Sequence, residues 1–110
     1  MARFVKGDVV VVPFPFSDLT QTKRRPALVV APLTGSDMIL CQITSQTVRD
    51  DYTLTITEND FASGRLNQVS NIRPNRIFTA DQGIILYSVG QLKPEVLEQV
   101  ITKIIDILRG

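Results

Sequence analysis

The 110 residues are 44% hydrophobic and 21% charged, a composition that builds one globular domain and excludes a disordered chain. Twelve Lys and Arg stand against eleven Asp and Glu, so any grip on a polyanion must come from local clustering of charge rather than from the net +1. With no histidine and one cysteine, His-based nucleases, Ser–His–Asp and Cys–His hydrolases, Cys/His zinc sites and intramolecular disulfides are excluded.

The first residues, Met1 to Gly7, hold no long apolar run, so no signal peptide or membrane helix is expected and the cytoplasm is the expected compartment. Gly7-Asp8 opens Val9-Val10-Val11-Val12, a β-branched run that reads as a strand buried on both faces. Pro13-Phe14-Pro15-Phe16 is expected to break it, and a polar loop runs on through Lys23. Ala27 to Val30 is the second predicted strand, ended by Pro32 and the turn Thr34-Gly35-Ser36-Asp37. Met38 to Ile43 is the third, paired with the second as a hairpin, with Cys41 as a buried thiol. Tyr52 to Thr57 alternates apolar and hydroxyl residues, a strand with one wet face. Asn59 to Gly64 reads as a short helical turn or loop closed by glycine. Gln68 to Ile72 and Arg76 to Thr79 read as strand, with Pro74 marking a bulge between them. Pro94 then starts an amphipathic helix in which Val96, Leu97, Val100, Ile101, Ile104, Ile105 and Leu108 recur at helical spacing. The pattern alone gives a small barrel or sandwich, α+β by class and mainly β.

Lys23-Arg24-Arg25 is a cationic run at the entrance to a buried strand. It is either a solvated surface or a phosphate-binding group, since guanidinium donors match phosphate oxygens. Arg25 precedes Pro26, which biases its backbone to the extended form and fixes the root of its side chain. Thr44 and Ser45 close the third strand, where their hydroxyls can satisfy backbone groups or face a site. Arg73 and Arg76 flank Pro74-Asn75, and by alternation at most one of them shares a site. Phe14 and Phe16 can stack on unpaired bases or seal the barrel mouth.

In combination these segments resemble the MazF/PemK family of toxins from type II toxin–antitoxin systems. The resemblance rests on Gly7 to Val12, on Arg24-Arg25-Pro26-Ala27-Leu28-Val29-Val30, on Ile43-Thr44-Ser45-Gln46, on Phe61 to Gly64 and on Ile72 to Thr79, together with the terminal helix. It implies a small SH3-like β-barrel of the kind shared with CcdB toxins, a two-fold homodimer, and a groove for single-stranded RNA. It also implies metal-independent, cofactor-free endoribonuclease activity that leaves a 2′,3′-cyclic phosphate and a 5′-hydroxyl, and a cognate antitoxin as partner. Position by position, Arg25 and Thr44 match the family's principal catalytic pair and Arg73 a further active-site arginine. Ser45 matches an RNA-contacting neighbour, and Phe14, Phe16, Lys23, Arg24, Gln46, Asn75 and Arg76 complete the expected RNA-binding set. Loops around Ser17 to Lys23 and Thr47 to Asp51 are expected to set sequence preference.

The chain departs from the pattern twice. Asn75 stands where one branch often has an acidic residue, and the first long loop has no histidine. A catalytically silent RNA- or protein-binding dimer is therefore a second reading. A CcdB-type gyrase inhibitor is a third, opposed by the absence of the tryptophan those relatives use.

Overall fold

The computed structural model describes residues 4–14 and 23–110. Along the chain run β1 (Asp8–Phe14), β2 (Lys23–Pro32), β3 (Asp37–Thr44), β4 (Leu54–Ile56), β5 (Phe61–Gly64), β6 (Ser70–Asp81), β7 (Tyr87–Leu92) and α1 (Pro94–Arg109). Single 3-10 turns occupy Glu58–Asp60 and Gln82–Ile84. The strands form one sheet in the order β4-β6-β3-β2-β1-β7-β5, with every neighbouring pair antiparallel. It is curled into a half-barrel with the helix against it, the mainly-β architecture that the pattern predicts.

Both faces of the sheet are covered, which is why β1 reads as an unbroken apolar run. On one face Val9, Leu28, Cys41, Ile43 and Ile72 pack with Val96, Val100 and Ile104 of α1. On the other, Val10, Val12, Ala27, Val29 and Leu40 pack with Phe4, Phe78, Ile84 and Ile85. The helix begins with Pro94, whose missing N–H costs nothing there. It turns Val96, Val100 and Ile104 inward and leaves Ile105 and Leu108 exposed. Among the described residues no helix is long and apolar enough to cross a membrane.

Several elements differ from the sequence reading. Pro13 does not end β1, because β7 pairs only as far as Val11 and leaves Pro13 a single strand neighbour, Arg24 on β2. β2 begins at Lys23 rather than Ala27, so the cationic run is strand and not loop. The strand expected over Tyr52 to Thr57 shrinks to Leu54–Ile56. At its start, Asp50 Oδ1 accepts from the N–H groups of Tyr52 and Thr53; at its end, Thr57 caps the next 3-10 turn in a reciprocal box with Asp60. The helical turn expected near Asn59 is the 3-10 turn Glu58–Asp60, but the stretch up to Gly64 continues as strand β5 rather than loop. β7 has no counterpart in the sequence reading, as Ser88, Gly90 and Gln91 give it no apolar alternation.

The bulge at Pro74 is present. Register with β3 jumps from Gln42↔Arg73 to Cys41↔Ile77, so Pro74, Asn75 and Arg76 bow out of the ladder. The Cys41 thiol fills the gap, its Sγ lying 3.0 Å from the Arg73 carbonyl oxygen that accepts from it. Burial pushes this thiol up from 9.0 to about 12. Its contribution to stability is intact below about pH 9 and declines as pH rises toward about 12, at about 1.4 kcal/mol per pH unit, because the unfolded thiol ionises while the folded one stays protonated. A disulfide reagent is expected to label no thiol in the folded protein at pH 8 and the single Cys41 in denaturant. Rapid labelling of native protein would contradict its burial.

Candidate active site

Strand alternation aims the candidate residues at one place. On β2, Lys23 and Arg25 share a face with Ala27 and Val29. Cross-strand partners lie on the same face, and the pairs Phe14↔Lys23, Val12↔Arg25, Ala27↔Gln42 and Gln42↔Arg73 extend it across four strands. Thr44, two residues beyond Gln42, joins them. The apolar floor of Val12, Ala27 and Leu40 therefore runs out at this end of the sheet into a polar cleft of about 490 Å³.

Phe14, Lys23, Arg25, Gln42, Thr44 and Arg73 line that cleft, together with Gln46, Thr47, Val48 and Arg49 of the loop after β3. Among the described residues, four cationic side chains and no carboxylate line it, which supplies the local charge that net composition does not. Phe14 packs on Phe78 with ring centroids 5.9 Å apart, so it seals the mouth of the core while forming part of the cleft.

The ladder between β2 and β3 stops at Ala27↔Gln42, next to Pro26, which has no N–H to donate. Past that point the strands part. Arg25 and Thr44 flank the opening and also line a second cleft, of about 300 Å³, with Arg24, Ser45 and residues 66–68. A chain laid across this end of the sheet thus meets Arg25 and Thr44 from both sides.

Arg25 is half-buried, and among the described residues the two ion pairs are Arg65–Glu58 and Arg73–Asp50, neither involving Arg25. The Thr44 hydroxyl oxygen accepts from the Gln46 N–H at 3.2 Å, which leaves its own proton to donate. Arg73 Nη2 lies 3.3 Å from Asp50 Oδ2, and its Nε–H is buried without an acceptor among the described residues. The Thr53 hydroxyl, the N–H groups of Tyr52 and Thr53 and the Arg73 guanidinium hold the Asp50 carboxyl below the usual carboxylate range. Asp50 is therefore an anion at neutral pH and a weak proton acceptor.

Of the residues singled out by sequence, Phe14, Lys23, Arg25, Thr44, Gln46 and Arg73 meet in the first cleft, and Arg24 and Ser45 in the second. Asn75 and Arg76 are exposed on the bulge and line neither cleft, as alternation required of one of the two arginines. Phe16 lies outside the described residues, as do Ser17 to Thr22. Sequence reasoning passed over Gln42 and placed Arg49 and Asp50 only within the Thr47 to Asp51 loop, without singling them out. Gln42 did carry a signal, a polar residue in phase with Leu40 on an otherwise apolar central strand. Among the described residues no three His, Cys, Asp or Glu side chains stand together as metal ligands.

Residues 5–108 match the model of the PemK-like, MazF-like toxin family of type II toxin–antitoxin systems. No curated relative matches the sequence. Among solved structures, MazF from Deinococcus radiodurans superposes with a TM-score of 0.77 at 21% identity, covering 100% of both chains. An endoribonuclease from a mycobacterial species, solved in complex with its cognate antitoxin, gives 0.73 at 14% identity over 99% of this chain and 96% of that one. A MazE–MazF complex from D. radiodurans gives 0.75 at 21% identity over 96% and 95%.

Proposed function

Since the chain belongs to the PemK-like, MazF-like toxin family of type II toxin–antitoxin systems, we propose that it is a toxin that cuts single-stranded RNA without a metal cofactor. The reading is carried by the convergence of Arg25, Thr44 and Arg73 on one cationic cleft.

Such a cleft fits cleavage in which the RNA supplies its own nucleophile. The 2′-oxygen attacks the adjacent phosphorus, the O2′–P bond forms as the P–O5′ bond breaks, and the 2′-proton is lost while O5′ gains one. The products are a 2′,3′-cyclic phosphate and a 5′-hydroxyl. No nucleophilic side chain is needed, and the requirement shifts to donors placed where charge accumulates on the phosphorane oxygens. Arg25 and Arg73 serve that role with fixed planar donors. Thr44 donates its hydroxyl proton to a phosphate oxygen and orients it. Phe14 offers a ring to a flanking base, while Lys23, Arg24 and Arg49 hold neighbouring phosphates. Ser45, Gln42 and Gln46 present polar groups to base edges. Asn75 and Arg76 stand apart on the bulge and are expected to contribute little.

The same cleft suits the extended acidic segment of an antitoxin, which would occupy it in place of RNA. A homodimer is part of this reading, with scattering expected to return twice the chain mass.

Incubation of purified protein with a long unstructured RNA in excess EDTA tests the proposal. Discrete cuts with 5′-hydroxyl ends are expected, recurring at one short sequence. Intact RNA in the presence of folded protein would instead favour a silent RNA-binding role.

A further inference from the structure

The loop joining β3 to β4 forms one wall of the cleft through Gln46, Thr47, Val48 and Arg49, and it has its own fastening. Asp50 is the centre of it. Its Oδ1 accepts from the N–H groups of Tyr52 at 2.9 Å and Thr53 at 3.0 Å and from the Thr53 hydroxyl at 2.8 Å. Its Oδ2 takes Arg73 Nη2 at 3.3 Å, with about one fifth of each side chain exposed. A second tie, from Asn71 Nδ2 to the Gln46 carbonyl at 2.8 Å, holds the near end of the loop to β6.

Among the described residues, Asp50 is the hydrogen-bond partner of the Arg73 guanidinium. Its Nε–H has no acceptor among the described residues, and it roots beside the three-residue bulge where β6 leaves the β3 ladder. Burial restrains the stem of this side chain, while the ion pair with Asp50 sets where its guanidinium points.

We infer that Asp50 is a positioning residue that aims Arg73 at the scissile phosphate. This rests on the ribonuclease reading above. Asp50 acts through Arg73 rather than on the 2′-proton, since both of its oxygens are engaged, its lowered pKa makes it a weak proton acceptor, and it does not line the cleft among the described residues. Misaiming a catalytic group by about 1 Å costs about 10²-fold in rate, and that sets the scale of the effect.

The test is a double-mutant cycle on RNA cleavage by the full chain, with the wild type establishing that cleavage occurs at all. Asp50→Asn keeps an oxygen for the Tyr52–Thr53 turn but turns an amide donor toward Arg73. It is expected to lower kcat by about 10- to 100-fold with KM within about 3-fold. In an Arg73→Ala background the same change is expected to cost less than about 2-fold, because the residue it acts through is gone. Thr53→Val, which removes only the hydroxyl bracing Oδ1, is the milder second variant, with a drop of about 3-fold that also vanishes without Arg73. Equal losses in both backgrounds, or wild-type kcat in Asp50→Asn, would overturn the inference while leaving the ribonuclease reading intact. Absence of cleavage by the wild type would remove the reading itself.

Discussion

Arg25→Ala is expected to lower the rate of RNA cleavage by about 10²- to 10³-fold while leaving the fold and its thermal midpoint almost unchanged. Both halves follow from how Arg25 is held. It sits on β2 opposite Val12, where the strand backbone and Pro26 fix its root, and it has no ion pair among the described residues. Deleting it breaks no partner's bond, so the stability change stays within about 0.5 kcal/mol. Its donors face the place where Thr44 and Arg73 also converge. Removing one donor aimed at a developing oxyanion is among the larger single losses an active site can suffer. Most of the loss is expected in kcat, since on the proposed reading Lys23, Arg24 and Arg49, which also line the two clefts, would still hold the flanking phosphates. Single-turnover cleavage beside a thermal melt decides the matter. A variant that melts normally and still cuts within about 3-fold of wild type would remove Arg25 from the chemistry.

What made this site legible was strand parity combined with short-range motifs. Arg25 next to Pro26 and Thr44 at the close of β3 are local signals, and alternation ruled that Arg73 and Arg76 part company. The register that sets Gln42 beside Arg73 was not legible, because it joins residues distant in sequence across a bulge whose size only the folded sheet fixes. Asp50 was hidden for another reason. Its neighbours Tyr52 and Thr53 belong to the cleanest alternating stretch in the chain, and alternation predicts a strand there. A carboxylate bonding to nearby N–H groups won locally over the ladder, and β4 starts only at Leu54. β7 escaped because Ser88, Gly90 and Gln91 break the alternation around Val89 and Leu92, and its pairing with β5 rests on close contact between backbones.

That contact sets the largest expected effect on stability. Where β5 meets β7, Gly64 and Gly90 are register partners, and the two backbones approach too closely for side chains. A Cβ on Gly64 would lie 2.1 Å from the Val89 carbonyl oxygen, and Gly64 also holds φ at +68°. A Cβ on Gly90 would lie 2.4 Å from the Ser63 carbonyl oxygen, with no positive φ to add to the cost. Gly35 provides the converse, with φ at +83° and nothing within 4 Å of the added atom. Substitution by alanine therefore separates the two terms. Gly35→Ala is expected to cost about 1–2 kcal/mol, the ordinary penalty of a left-handed L-residue. Gly90→Ala requires the strands to separate and is expected to cost more, about 3 kcal/mol. Gly64→Ala combines both and is expected to exceed about 4 kcal/mol, close to the whole stability of a marginal domain and roughly 15 °C or more in Tm. The damage reaches the site as well, because residues 66–68, just past Gly64, form one wall of the second cleft. Thermal or urea melts of the three variants give the order directly. A Gly64→Ala protein that melts above Gly35→Ala would mean that β5 does not lie against β7 in this way, and the wall it anchors would have to be placed anew.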